Sequence, residues 1–148
     1  MTDFIKRILP LVQKPARYTG GEYNQIVKPL EEIDIRVAFC FPDTYEIGMS
    51  NLGMKILYGC LNQMNHVWCE RVFAPWHDME KEMRKHNIPL YALESGDPLT
   101  EFDLIGVTLQ YELCYSTVLN VMGLAGMPLL AKDRGEDMPI VIGGGHCA

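Results

Sequence analysis

The sequence predicts an α/β protein with an open, parallel β-sheet. Short runs of β-branched and aromatic residues alternate along the chain with stretches of helical periodicity, the pattern of parallel strands joined by crossover helices. Leu104 to Leu109 forms a continuous apolar run, typical of a strand buried on both faces of a parallel sheet. A first strand, Val37 to Phe41, breaks at Pro42 and leads through a polar loop into a helix.

Five strands and their connecting helices follow from these patterns. Ser50 or Asn51 can cap the first core helix, whose apolar stripe runs from Leu52 to Leu61. The later elements are the strand His66–Phe73, the helix Asp78–Lys85, the strand Pro89–Glu94, the strand Leu104–Leu109, the helix Leu113–Leu124 and the strand Pro139–Ile142. This alternation predicts a flavodoxin-like (Rossmann-like) sheet in the order 2-1-3-4-5.

The chain divides into an N-terminal extension, residues 1–34, and an α/β domain, residues 35–148. Helical spacing in the extension ends at Pro10, and residues 14–24 are either a surface arm or a contact for a neighbouring domain or partner through Arg17, Tyr18 and Gly20–Gly21. A doubly wound sheet normally continues with a helix after its last strand. We therefore expect an N-terminal piece of a longer protein that lacks this closing helix, and the bare sheet could let the fragment dimerise.

Composition excludes several classes of protein. The formal charge of -6 and the pI near 5.1 argue against a broad nucleic-acid surface, with a local basic patch at Lys6, Arg7, Lys14 and Arg17 left open. The five cysteines include no C-x-x-C pair, so neither a disulfide framework nor a zinc site is indicated. No signal peptide or membrane span is recognisable, so we expect a cytoplasmic protein with no membrane partner.

Three loops should lie side by side at the carboxyl edge of the sheet, where open α/β sheets bind ligands. They follow the first, fourth and fifth strands and comprise residues 43–51, 110–116 and 143–147. The last contains three consecutive glycines, which let a bulky ligand approach the backbone. Glu46 is the main candidate acid, and His146 is either a ligand contact or a packed loop residue.

Motifs in these loops resemble those of cobalamin-binding domains fused to radical S-adenosylmethionine (radical SAM) enzymes. The first loop, D-T-Y-E-I-G, is similar to D-x-H-x-x-G with Tyr45 in place of His. I-G-V-T-L-Q resembles I-G-x-S-x-L, with Thr108 and Gln110 as the departures, and G-G-G-H resembles a terminal G-G-x-H. The segments K-P-A-R-Y, E-R-V-F-A-P-W and L-Q-Y-E-L resemble an uncharacterised family of such fused proteins.

The resemblance implies a cofactor and a set of residues to bind it. A cobalamin would lie over the carboxyl edge, without a His ligand from the first loop, because a neutral phenol offers no imidazole-like nitrogen. The candidate cofactor-binding residues are Asp43, Tyr45, Glu46, Gly48, Ser50, Thr108, Gln110, Gly143, Gly144, Gly145 and His146. The partner would be the protein's own C-terminal radical SAM domain.

Independent catalysis is not indicated. The sequence has no nucleophile elbow, no Walker loop and no C-x-x-x-C-x-x-C triad for a [4Fe-4S] cluster. We therefore expect the cluster and S-adenosylmethionine only beyond Ala148, in a full-length radical SAM enzyme. Two alternatives stay open: a cofactor-less Rossmann-like module that docks the catalytic domain or another partner, and a flavin- or nucleotide-binding domain.

Overall fold

The computed structural model describes residues 3–148 and confirms the Rossmann-like parallel sheet. All pairings are parallel, and the strand order is β2-β1-β3-β4. The strands are β1 (Ile35–Phe41), β2 (Val67–Phe73), β3 (Leu104–Thr108) and β4 (Ile140–Gly144). β3 and β4 correspond to the predicted fourth and fifth strands, so the sheet has four strands and not five.

Helices cover the two faces of the sheet unequally. The helices are α1 (Asp3–Ile8), α2 (Tyr45–Ser50), α3 (Leu52–Asn62), α4 (His77–His86) and α5 (Cys114–Leu124). One core joins residues of α1, α4 and α5 to one face. The opposite core joins α3, through Met54 and Tyr58, to Val37, Phe39 and Phe41 of β1. None of the helices within residues 3–148 combines the length and hydropathy needed to cross a lipid bilayer.

The predicted strand Pro89–Glu94 is wrong as a member of the sheet. This segment is buried and extended, but its one bridge is antiparallel, between Tyr91 and Pro98, and Leu93 N donates to Arg71 O beside the outer edge of β2. A turn through Gly96 folds the segment back on itself, since Ala92 N donates to Asp97 O. Because this segment lies outside β2, β1 pairs directly with β3.

A buried ion pair between Arg71 and Glu94, and a partly exposed one between Arg36 and Asp97, hold that segment and the turn after it against the sheet. Arg36 binds Glu70 at 2.6 Å and Asp97 at 2.9 Å, while Arg71 Nε binds Glu94 Oε1 at 2.5 Å. Burying such charges is costly unless each is paired, so these contacts fix the position of the segment.

Within residues 3–148, no helix covers half of one sheet face. Side chains alternate along a strand, and Ile140 and Ile142 of β4 are in register with Leu104 and Gly106 on the face that α3 covers elsewhere. Ile140 is 66% exposed and Ile142 is 50% exposed. We call this surface over β3 and β4 the open half of the sheet.

The helices depart from the sequence-based expectation at the first loop and confirm it at the cap of α3. The first loop contains a short helix, α2, so Tyr45, Glu46, Gly48 and Ser50 are helical residues. Asn51 caps α3, because its Oδ1 accepts a hydrogen bond from Met54 N at 2.9 Å, and this confirms one of the two predicted caps.

Candidate functional site

Hydrogen bonds join the three loops at the carboxyl edge of the sheet. Tyr111 Oη donates to Asp43 Oδ2 at 2.9 Å, which links the loop after β3 to the loop after β1. Leu109 N donates to Gly144 O at 2.7 Å, and Tyr115 Oη donates to Cys147 O at 2.6 Å, which link the loops after β3 and β4. The candidate residues of the three loops therefore share one edge.

Both carboxylate oxygens and the carbonyl oxygen of Asp43 accept hydrogen bonds from the protein. Its Oδ1 accepts from Thr44 N at 2.7 Å, its Oδ2 accepts from Tyr111, and its carbonyl oxygen accepts from Ala74 N at 2.9 Å. These bonds tie the ends of β1, β2 and β3 together, so Asp43 organises the edge.

Tyr45 lies on α2 and contacts the N-terminal segment. Its hydroxyl donates to the carboxylate of Glu22, and its ring packs edge-on against Phe73 with centroids 5.5 Å apart. Burial, together with the hydrogen bond to Glu22, raises the pKa of Tyr45 to about 12. A neutral phenol bonded in this way offers no nitrogen that could replace an imidazole on a metal.

Glu46 is an ion-pair partner of the N-terminal segment. Arg17 lies 2.9 Å and Lys14 lies 3.1 Å from its Oε1. The hydrogen bond from Arg17 is the main cause that lowers the pKa of Glu46 to about 2. The carboxylate is therefore ionised at neutral pH and is held as an ion-pair partner of the N-terminal segment.

Residues 14–26, which we call the strap, cross over α2 and α3. Tyr18 is buried, its Oη accepts from Trp76 N at 3.1 Å, and its carbonyl oxygen accepts from Tyr91 Oη at 3.2 Å. Ile26 N donates to Tyr58 Oη at 2.8 Å. Arg17 and Tyr18 thus contact the α/β domain of the same chain, whereas the sequence left a surface arm and a contact with a neighbouring domain or partner as alternatives.

Packing explains why residue 48 is a glycine, whereas Ser50 makes only a local contact within α2. A Cβ atom on Gly48 would overlap the ring of Phe73 and lie 3.2 Å from Phe41 Cβ. Ser50 is exposed, and its Oγ donates to Ile47 O at 2.8 Å within α2.

The end of β3 carries a buried hydroxyl that lacks a partner. Thr108 is 6% exposed, and its Oγ1 has no hydrogen-bond partner in the part of the chain that the structure describes. It is in register with Gly144, where a Cβ atom would meet nothing within 4 Å. Gln110, two residues on, is exposed.

The three glycines of the last loop have different surroundings. A Cβ atom on Gly143 would lie 3.1 Å from Leu109 Cδ1, and one on Gly145, whose φ is +133°, would overlap the carbonyl oxygen of Leu109. Gly144 alone faces open space, and His146 is exposed. Gly145 is therefore required by the backbone beside it, and Gly144 is the member of the run that a ligand could approach.

These residues do not fit cobalamin in the manner of a D-x-H-x-x-G domain. The side chain at the His position is a phenol bonded to Glu22, and the strap lies against α2. Thr108, whose buried hydroxyl lacks a partner among the described residues, and Gly144, which faces open space, have unused capacity to contact a ligand, and Gln110 and His146 are also exposed. Within residues 3–148, no group of three His, Cys, Asp or Glu side chains could hold a metal ion.

Comparison with known families identifies the kind of protein to which this domain belongs. A family model described as "Radical SAM proteins, N-terminal" matches residues 53–148, which include the loops after β3 and β4 but not the first loop. No curated protein and no solved structure matched the chain. The match covers well over half of the chain, and the protein belongs to the family of radical SAM proteins, of which this is an N-terminal region.

Proposed function

We propose that this chain is a non-catalytic accessory domain of a radical SAM iron–sulfur enzyme, packed by the open half of its sheet against the radical SAM part of the same protein. The observation that carries the proposal is the exposure of Ile140 and Ile142 on a parallel strand. Parallel sheets are normally covered on both faces, because their strands are apolar on both sides. The family match supports a radical SAM region as the occupant.

The open half has the width of one helix. Two strands span about 10 Å, close to the diameter of an α-helix with its side chains. Its floor includes Gly106, which lets a helix approach closely, and its outer wall is formed by Ile140 and Ile142. We therefore assign the surface to an amphipathic helix with an aliphatic face.

α3 supplies the inner wall of the same surface. At 100° per residue, Leu57 lies on the flank of α3 opposite Lys55 and Gly59, which face the strap beside β2. Leu57 is 49% exposed, and the exposed thiol of Cys60, three residues on, lies between this flank and the solvent side of α3. Leu57 therefore borders the open half, and the Cys60 thiol lies next to it on the outer side.

The side chains present indicate which part of the reaction machinery this region supplies. A [4Fe-4S] cluster bound elsewhere in the protein would supply the electron that cleaves S-adenosylmethionine. Residues 3–148 contribute no ligand set for such a cluster. Their role is to dock and to position loops at the carboxyl edge.

Alkylation of Cys60 in the full-length protein tests the docking. We expect Cys60 to be protected in the native protein and to become reactive in Ile142→Asp, because a charge at this position would expel the apolar helix. Leu129→Asp is the matched control, since Leu129 is equally exposed, at 50%, in the segment between α5 and β4. Equal reactivity of Cys60 in the native protein and in Ile142→Asp would overturn the proposal, as would protection that depends on protein concentration, which indicates a second copy.

Cobalamin binding is the second candidate, and the unpartnered Thr108 hydroxyl beside the open Gly144 favours it. The test is gel filtration of the full-length protein after incubation with hydroxocobalamin. Retained corrinoid that is reduced in Thr108→Val but not in the control Thr100→Val would support this candidate, and loss of all corrinoid from the native protein would exclude it. Flavin fluorescence in the purified protein would favour a flavin domain.

A further inference from the structure

A cleft of about 360 Å³ lies between the strap and the helices α2 and α3. It is on the flank of α3 that faces away from the open half of the sheet. Its lining includes Glu22, Met49, Met54, Lys55, Tyr58 and Arg71. The walls are fixed, because Ile26 N donates to Tyr58 Oη and Trp68 Nε1 donates to Ile26 O at 3.0 Å. The cleft is therefore built into the fold, as ligand sites usually are.

Arg71, at the base of the cleft, uses one edge of its guanidinium. Its Nε lies 2.5 Å from Glu94 Oε1, and its backbone N donates to Glu94 Oε2 at 2.6 Å. Arg71 is 6% exposed and the carboxylate of Glu94 is fully buried. Glu94 thus balances the charge of Arg71 and holds the guanidinium in one orientation.

The other edge of the guanidinium is poorly satisfied. Nη1 donates to Met49 Sδ at 3.3 Å, and a thioether is a weak acceptor. Nη2 is buried, and none of the residues that the structure describes accepts a hydrogen bond from it. The ring of Tyr58 lies 4.6 Å from the guanidinium carbon. Buried N–H groups of a charged side chain normally have strong acceptors, so this edge lacks the acceptor expected for it.

We propose that the cleft binds a small organic carboxylate. Its two oxygens accept hydrogen bonds from Nη1 and Nη2 of Arg71 once the flexible Met49 side chain turns aside, which is the bidentate geometry that arginine and carboxylate favour. Its apolar body lies against Met54 and Tyr58, and the ammonium of Lys55 at the rim offsets the added negative charge. This site goes beyond the docking function and shares no residue with the open half of the sheet.

Arg71 and Lys55 favour an anionic ligand over a cationic one, and Glu22 is the carboxylate in the lining that opposes it. The carboxylate of Glu22 already accepts the hydroxyl of Tyr45. Two cationic side chains, Arg71 and Lys55, line the same space, and of these Arg71 has unused donors.

Binding of benzoate to the ¹⁵N-labelled chain tests the site, with benzamide as an uncharged ligand of the same shape. We expect saturable chemical-shift changes at the amides of Gly48 and Gly59 and at Arg71 Nε, with a dissociation constant on the order of 1 mM for so small a ligand. Benzamide should bind about tenfold more weakly, because it cannot form the charge-assisted pair.

Two glycines offer a matched pair of variants. A Cβ atom on Gly59 in α3, or on Gly123 in α5, would meet nothing within 4 Å, so a side chain can leave the backbone at either position without a clash at its first carbon. Gly59→Leu fills the cleft and should weaken benzoate binding at least about tenfold, while Gly123→Leu should leave it unchanged. Met49→Ala should strengthen binding, because it removes the side chain that covers Nη1. Absence of benzoate shifts in the cleft, equal binding of benzamide, or unchanged binding to Gly59→Leu would each overturn the proposal.

Discussion

Tyr111 donates a hydrogen bond from its phenolic oxygen to Asp43 Oδ2 at 2.9 Å, across 68 positions of sequence. This bond joins the loop after β3 to the loop after β1. The same Asp43 accepts Ala74 N through its carbonyl oxygen, so the bond also connects to the end of β2. The hydrogen bond to Asp43, with partial burial, raises the pKa of Tyr111.

Tyr111→Phe should loosen this edge of the sheet. Removing one partly exposed hydrogen bond should lower the free energy of unfolding by about 1 kcal/mol. Urea denaturation measures the loss, and hydrogen exchange of the Ala74 amide should accelerate. Tyr23→Phe is the control, because Tyr23 is fully exposed. Equal midpoints for the two variants would show that the bond to Asp43 contributes nothing.

Glu46→Gln should weaken the attachment of the strap in a pH-dependent manner. The folded-state pKa of Glu46 lies near 2, below its value in the unfolded chain, so the ionised carboxylate stabilises the fold above about pH 4.5. Its side chain is 42% exposed, and the pair with Arg17 should therefore contribute about 1 kcal/mol or less at neutral pH.

The difference between Glu46→Gln and the native protein should shrink as the pH falls from about 4.5 toward 2, and high salt should reduce it at any pH. Urea unfolding from pH 7 to pH 3 measures it. Glu136→Gln changes an exposed carboxylate outside the strap and should show no such dependence. A gap between Glu46→Gln and native stability that stays constant across this range would contradict the ion-pair explanation.

The sequence predicts the sheet well because its signal is periodic. Strands and helices alternate, and each apolar run has the length of a strand, so the strand types and the carboxyl-edge loops follow. Pro89–Glu94 shows why the prediction also fails. Its residues are as apolar as a core strand, but the pairing of Glu94 with Arg71 places it outside β2, and periodicity carries no information on such a contact.

The path of the strap and its partners were not predictable for the same reason. Residues 14–26 have no hydrophobic period, and their contacts are single side chains that meet distant partners, such as Glu22 with Tyr45 and Arg17 with Glu46. The motif D-T-Y-E-I-G located the first loop correctly at the end of β1. It could not show that its Tyr and Glu side chains bind the strap.

Gly48→Ala should destabilise the protein through overpacking. The added methyl group would overlap the buried ring of Phe73, and Phe41 Cβ closes the other side at 3.2 Å. We expect a loss of about 1–3 kcal/mol in the free energy of unfolding. Urea denaturation of Gly48→Ala, Phe73→Leu and the double variant measures whether the smaller side chain recovers part of that loss.

The control for Gly48→Ala is Gly123→Ala, which adds a methyl group in open space within α5 and should stabilise that helix by about 0.5–1 kcal/mol. Strict additivity in the Gly48→Ala and Phe73→Leu cycle would mean that the two residues are not in conflict. In that case Gly48 would be explained by something other than the packing of Phe73.

In the last glycine loop, Gly145 is required by backbone packing and Gly144 is not. We expect Gly145→Ala and Gly144→Ala to differ in stability for this reason. Gly145 has a φ of +133°, and its Cβ atom would overlap Leu109 O, so its replacement should cost about 1–3 kcal/mol of stability. Gly144 has no atom within 4 Å of a Cβ position, and Gly144→Ala should stay within about 0.5 kcal/mol of the native protein. Urea denaturation of both variants distinguishes them. Equal losses of stability in the two variants would contradict this explanation. The carbonyl oxygen of Leu109 should constrain Gly145 and should not constrain Gly144.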